Sequence, residues 1–283
     1  MRPFLVGALA LLATIHIVSA QVFKSRIDSV RVDVLVTDGR DVMLGLGPQD
    51  FEIFDNGVAQ KVDLLTFEKM PLNIALALDM SGSIRGERLE QLRDAARAVV
   101  DGLEADDKIA VITFSRDVSL HTRMTGDRAL ALAALQRPSE GGDTSLVDAT
   151  LGALVASESA DGRPLSIVFS DGADTASFLQ PDAVVAAAKR GESVLYAAAV
   201  SAARRTNFLR DVTGVTGGRL MDVGSTRDLR AVFIKILSEF RQRYVMSFTP
   251  QGVAKDGWHR LELRVRNRRA VVSARSGYQA GGR

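Results

Sequence analysis

Two carboxylates and three hydroxyls, carried by three short polar clusters far apart in the chain, are the residues here whose types and spacing offer chemistry. The first cluster is Asp79-Met80-Ser81-Gly82-Ser83, at the end of an apolar run. The second is Gly141-Gly142-Asp143-Thr144-Ser145-Leu146-Val147-Asp148-Ala149, and the third is Ser170-Asp171-Gly172-Ala173-Asp174. Asp79, Ser81, Ser83, Thr144 and Asp171 offer oxygen ligands only. Hard divalent cations want such ligands, and Mg2+ takes an octahedron of oxygens at about 2.0–2.1 Å while keeping several waters. Few protein ligands then suffice, and one position can stay open for a carboxylate from outside. Each cluster alone has a plainer reading: a loop capping the next helix, an N-cap at Thr144, a turn at Asp171-Gly172. Only their convergence on one rim favours a metal.

The elements around the clusters predict that convergence. Leu72–Asp79, Lys108–Ser115, Leu165–Ser170 and Ser193–Ser201 are apolar runs of strand length, and Arg88–Leu103, Asp127–Leu135, Leu146–Ser157, Asp182–Arg190 and Thr226–Tyr244 have helical periodicity. Strand alternating with helix predicts an α/β fold, a doubly wound, mostly parallel sheet with helices on both faces, because parallel strands need crossover connections. Open sheets of this kind place ligands beyond the carboxyl ends of their strands, where Asp79 and Asp171 stand.

The flanks differ. Val30, Val32, Val34 and Val36 alternate with polar residues, and Asp55-Asn56-Gly57 separates two more alternating runs, so residues 27–66 read as half-buried strands with an Asn-Gly hairpin. The tail reads as strands at Tyr244–Thr249, around Leu261, Leu263 and Val265, and at Val271–Arg275. The two ends are expected to meet as one small β-rich subdomain. The expected division is a signal peptide at 1–20, a β-rich segment at 21–69, the α/β domain at 70–243 and a β-rich segment at 244–283.

Composition narrows the function classes. Of 283 residues, 46% are hydrophobic and 25% charged, enough apolar content for a sizeable core. The first twenty residues have a basic start, an apolar stretch from Phe4 to Val18 and small residues at the end, the parts of a secretory signal; an uncleaved anchor is the alternative. Without Arg2 the balance is 35 basic against 34 acidic residues, which argues against a dedicated nucleic-acid binder. There is no Cys, so disulfides, thiolate metal sites and cysteine nucleophiles are excluded.

Asp-x-Ser-x-Ser after an apolar strand, then Gly-Gly-(x)-Thr-x-Leu-x-Asp-Ala, then a strand ending in Asp-Gly resembles the metal-ion-dependent adhesion site of von Willebrand factor type A (VWA) domains. The resemblance covers about residues 70–240 and implies a VWA, Rossmann-like fold, with Asp79, Ser81, Ser83, Thr144 and Asp171 as the metal site. Mg2+ is the implied ion, with Mn2+ or Ca2+ as substitutes, and a protein partner's Asp or Glu would complete its shell. In relatives, ligand occupancy couples to movement of the last helix, and the resemblance extends that to the helix ending at Tyr244. Val32 to Asp38, Asp50-Phe51-Glu52-Ile53, Tyr244-Val245-Met246 and Gly277-Tyr278 are similar to an exported group called VWFA-related acidobacterial domain proteins, a likeness that supplies no function. One departure is Asp143, between the glycines and Thr144: a helix cap, or an acceptor behind the metal ligands.

Other residues carry weaker expectations. Asp174 is a candidate to support the metal ligands from behind. Arg260, Arg264, Arg266, Arg268, Arg269 and Arg275 read as a solvated strand face, with contact to anionic envelope polymers as the functional alternative. Leu229, Phe233, Ile236, Leu237 and Phe240 read as a core stripe, and Trp258 with His259 as an anchor of the β-subdomain.

The function expected is therefore an exported binding or adhesion protein, not an enzyme, with no membrane span after signal removal. Metal-assisted hydrolysis would want a general base near the ion, and past the leader only His121 and His259 are available, neither in the clusters. No Gly-x-Ser-x-Gly, Gly-x-x-x-x-Gly-Lys or His-Glu-x-x-His occurs. The other alternative is a scaffolding protein whose metal only stabilises it.

Overall fold

In β1 (Val30–Asp38), Val32, Val34 and Val36 line one face of the strand, Asp33 and Leu35 line the other, and all five are buried. Its polar residues predicted one wet face. The second face instead packs on the α/β unit, where Asp33 meets Arg163. The computed structural model describes residues 29–39, 41–66, 70–136, 141–200, 207–266 and 269–281; the leader expected at 1–20, and Arg268, lie outside them. β2 (Asp41–Val42) pairs with the end of β1. β3 (Phe51–Asp55) turns into β4 (Val58–Gln60) through Asn56 and Gly57, whose φ of 47° and 82° is the left-handed geometry a tight hairpin needs. β5 (Leu64–Thr66) ends the segment.

β6 (Leu72–Asp79) has no exposed position. It leads into α1 (Glu87–Asp101), β7 (Lys108–Phe114), β8 (Val118–Thr125), α2 (Arg128–Ala134) and α3 (Leu146–Ser157). Next come β9 (Arg163–Ser170), α4 (Pro181–Arg190), β10 (Val194–Val200), α5 (Asn207–Thr216), β11 (Leu220–Val223) and α6 (Leu229–Arg241). The sheet runs β11-β10-β9-β6-β7-β8, parallel except at the antiparallel edge strand β8. Helices α1, α2 and α6 cover one face and α3, α4 and α5 the other, which is the doubly wound arrangement. β6 puts Leu72, Ile74, Leu76 and Leu78 toward the first group, and only Ala75 and Ala77 toward the second. Small side chains there let α3 lie close over the strand that carries Asp79.

The stripe on α6 is core: Leu229, Phe233, Ile236 and Phe240 are fully buried. Removing one such aromatic side chain typically costs about 3–5 kcal/mol. The helix expected to reach Tyr244 stops at Arg241, because Tyr244 opens β12 (Tyr244–Phe248) in register with Val34 of β1. No helix among the described residues is long and apolar enough to cross a membrane.

β13 (Gly257–Val265), β14 (Val271–Ser273) and β15 (Gly277–Ala280) complete the tail. One sheet is ordered β14-β1-β12-β5, with β2 beside β1, and another β15-β13-β3-β4. Strands of the two flanks thus pair with each other, around a core that includes Val34, Phe51, Ile53, Met246, Phe248 and Tyr278. Trp258 is not the anchor: it is 37% exposed, under the Lys189 ammonium. Its neighbour His259 faces inward, as the period of two requires, with Nδ1 2.7 Å from Asp55 Oδ1. The Tyr278 hydroxyl donates to the other oxygen of Asp55 at 2.6 Å.

Candidate metal centre

Asp79 is the last residue of β6 and is fully buried. Its Oδ1 accepts from the Ser81 backbone N–H at 2.9 Å, and its Oδ2 accepts from the Ser170 hydroxyl at 2.6 Å. Burial, the largest influence, pushes its carboxyl above the usual value; the hydrogen bonds from Ser170 and Ser81 pull the other way, and the charge of Asp171 adds to the rise. The turn brings the Ser81 and Ser83 hydroxyls to 3.4 Å from each other, and Ser83 Oγ donates to Asp171 Oδ1 at 2.6 Å.

Backbone bonds stitch the second cluster to the first. The Gly82 N–H donates to the Gly142 carbonyl, and the Gly141 N–H to the Met80 carbonyl. Gly141 and Gly142 hold φ of 70° and 90°, which a side chain would resist. Thr144 follows; its N–H donates to the Thr175 hydroxyl at 2.9 Å and its carbonyl accepts from the Thr175 N–H at 2.8 Å, which ties it to the third cluster. The Thr144 hydroxyl has no hydrogen-bond partner among the described residues and stands 3.3 Å from where a side chain on Gly172 would begin. The five residues read from the sequence, Asp79, Ser81, Ser83, Thr144 and Asp171, therefore line one rim beyond the carboxyl ends of β6 and β9.

Two supporting roles differ from expectation. The Asp174 carboxylate accepts from the Val147 N–H at 3.1 Å and from the Ser177 hydroxyl at 2.5 Å, so it caps α3 instead of backing Asp79 or Asp171. Asp143 is exposed and does not cap the helix, because Asp174 and Ser177 already take the first free amides of α3. Asp148, the other acid in the second cluster, accepts from the Phe178 and Leu179 N–H groups at 2.9 Å each and so pins the loop after Asp171. Sequence reasoning missed Ser170 as the partner of Asp79. Strand register carries that contact: Leu78 pairs with Phe169, so the next residues, Asp79 and Ser170, end side by side. It also missed Arg88, whose Nη1 lies 3.7 Å from Asp171 Oδ2.

The donors fit a hard divalent cation. Among the described residues no group of three or more His, Cys, Asp or Glu is placed to hold a metal; the rim offers two carboxylates and three hydroxyls instead. Its oxygen–oxygen separations of 2.6 and 3.4 Å bracket the edge of about 2.9 Å in an octahedron with bonds of about 2.0–2.1 Å. Both Asp79 oxygens already accept bonds from within the chain, and Asp79, Ser81, Ser83, Thr144 and Asp171 are the residues that would hold a cation.

Comparison with known proteins bears on the family and the fold. The family model for the von Willebrand factor type A domain matches residues 73–233. Over 77 residues the chain is 36% identical to the Synechocystis protein named uncharacterized protein sll0103, a stretch that covers 26% of this chain and 18% of that one. Over 50 residues it is 38% identical to inter-alpha-trypsin inhibitor heavy chain H3 of Homo sapiens, covering 18% of this chain and 6% of that protein. The matches thus span less than a fifth of these relatives' length. Among solved structures, von Willebrand factor type A from Catenulispora acidiphila superposes with a TM-score of 0.54 at 11% identity, over 82% of this chain and 72% of that chain. Proximal thread matrix protein 1 from the mussel byssus gives 0.54 at 16% identity, over 60% and 48%. At these identities the likeness to solved structures is one of fold.

Proposed function

The chain belongs to the von Willebrand factor type A domain family, and from that premise we propose that it is an exported binding protein that captures a partner protein through a divalent cation, Mg2+ in this reading. VWA domains commonly mediate protein binding and commonly hold a divalent metal at this rim. When bound, the cation supplies an open coordination position that a partner's Asp or Glu fills. Ser81, Ser83, Thr144 and Asp171 would hold it together with Asp79, which Ser170 orients.

The single observation that carries the proposal is the contact between Ser83 and Asp171 at 2.6 Å, which joins loops 88 residues apart. Binding is preferred to hydrolysis in this reading because neither described histidine reaches the rim. Nε2 of His121 lies 2.6 Å from the Thr113 hydroxyl, on β8 beside β7, and His259 is inside the β-subdomain. The exposed Arg260, Arg264 and Arg266 offer an anionic envelope polymer a secondary contact in this reading, but Glu262 and Glu52 already offset part of their charge. Arg275 turns inward, donating from Nε to the Gly277 carbonyl at 2.7 Å.

The test is capture from an envelope extract by immobilised protein in Mg2+ or in EDTA, with Asp79→Ala as control and circular dichroism to verify its fold. A partner retained in Mg2+, and released by EDTA and by Asp79→Ala alike, supports the proposal. A partner indifferent to both contradicts it.

A further inference from the structure

Two guanidinium groups stand at the rim and are not needed to hold a cation there. Arg88 is the second residue of α1, and its only ion-pair partner among the described residues is Asp171, at 3.7 Å. The nearby helix acids are taken: Glu87 pairs with Arg227 and Gln91, and Glu90 with Arg93. A helix N-terminus disfavours a positive side chain, so Arg88 sits where local electrostatics alone would not put it. Arg85 lies in the loop between β6 and α1. Its Nη2 is 3.5 Å from a Cβ placed on Gly82 and 3.2 Å from one placed on Gly141, so its head covers the seam between the first and second clusters. Among the described residues it has no ion pair.

With a divalent cation in place the rim would hold two positive charges from the metal and two from the arginines against two negative charges from Asp79 and Asp171. The metal would balance Asp79 and Asp171, and the two guanidinium charges, offset in part by the exposed Asp143 carboxylate, would remain for an acid beyond the one that completes the metal shell. We propose that Arg85 and Arg88 select a partner segment with paired acid groups: one carboxylate completes the metal shell, and the second is held by the two guanidinium groups. Arg88 also competes with the cation for Asp171, so the arriving acid pair draws it away and strengthens the metal's hold. The inference rests on the reading of the rim as a metal site.

The test uses Mn2+ as the probe, titrated by the EPR signal of the free ion, with acetyl-Gly-Glu-Gly-amide and acetyl-Gly-Glu-Glu-Gly-amide as acids. In the wild type the two-glutamate peptide should tighten Mn2+ binding about fivefold more than the one-glutamate peptide, the effect expected of partly exposed charge pairs. Arg85→Ala with Arg88→Ala should abolish that preference. Arg88→Ala alone, without peptide, should bind Mn2+ more tightly, because Asp171 is freed. Wild type that binds Mn2+ without preferring the acid pair, or a double variant that keeps the preference, overturns the inference and leaves the metal site standing. Wild type that binds no Mn2+ overturns both.

Discussion

Arg163, the first residue of β9, lays its guanidinium against the carboxylate of Asp33 in β1, with Nε 2.9 Å from Oδ1 and both side chains buried. The same guanidinium donates to the Phe240 carbonyl at 3.3 Å and stacks 4.7 Å over that residue's ring. One contact thus joins the N-terminal flank, the sheet and the end of α6. Arg243 works beside it, fully buried, donating to the carbonyls of Asp33 and Gly217. The β-subdomain is therefore fixed to the α/β unit by buried charged groups.

Removing one partner of a buried pair leaves an uncompensated charge, at a typical cost of about 3–5 kcal/mol. Asp33→Ala should lose that much in urea unfolding while Asp38→Ala, at the exposed end of the same strand, should lose almost nothing. A loss under about 1 kcal/mol for Asp33→Ala would show that water reaches Arg163.

Alkaline pH should weaken the same region through Tyr196. Its hydroxyl donates to Glu239 Oε1 at 2.8 Å and is pushed up to about 12, chiefly by burial. Because the folded value lies above the unfolded value of 10.0, the group's contribution is complete below pH 10 and is lost as pH rises toward 12. Urea midpoints should fall across that window, and Tyr196→Phe should flatten part of the fall. Tyr278, also raised by burial, accounts for a further part.

Metal and proton should compete at Asp79. Burial raises its carboxyl above 3.8, so folding without a cation favours the protonated form. The metal-free protein should lose stability as pH rises from that ordinary value through the raised one. A divalent cation reverses the preference, and at a hundred times its dissociation constant it would add about 2.7 kcal/mol. Thermal unfolding should show a Mg2+-dependent gain at neutral pH that shrinks on acidification, and Asp79→Asn should remove it. A gain of equal size in Asp79→Asn would place the cation elsewhere.

What the sequence disclosed follows from how each signal arises. Apolar runs such as Leu72–Asp79 and Leu165–Ser170 are buried on both faces, and their strands and the rim at their ends were readable because burial shows in composition. β8 was not: it is an edge strand whose Val118 and Leu120 are exposed, so it lacks the apolar run of its neighbours. α5 was also missed, since Val212, Thr213, Val215 and Thr216 are β-branched and Gly214 lies among them; packing of Phe208, Leu209 and Val212 makes the helix. β11, four residues long, was hidden behind it. At the site, the five ligand candidates were visible as a spaced pattern, whereas Ser170, Asp148 and the capping role of Asp174 depend on register and loop path.

The most direct measurement is anomalous diffraction at the manganese edge from crystals grown with Mn2+. The account predicts one strong peak within bonding distance of the Ser81, Ser83 and Thr144 hydroxyls and the Asp171 carboxylate, with one coordination position facing solvent or an acid group from another molecule. No peak at this rim, or a peak whose every position is filled by this chain's own side chains, would contradict it.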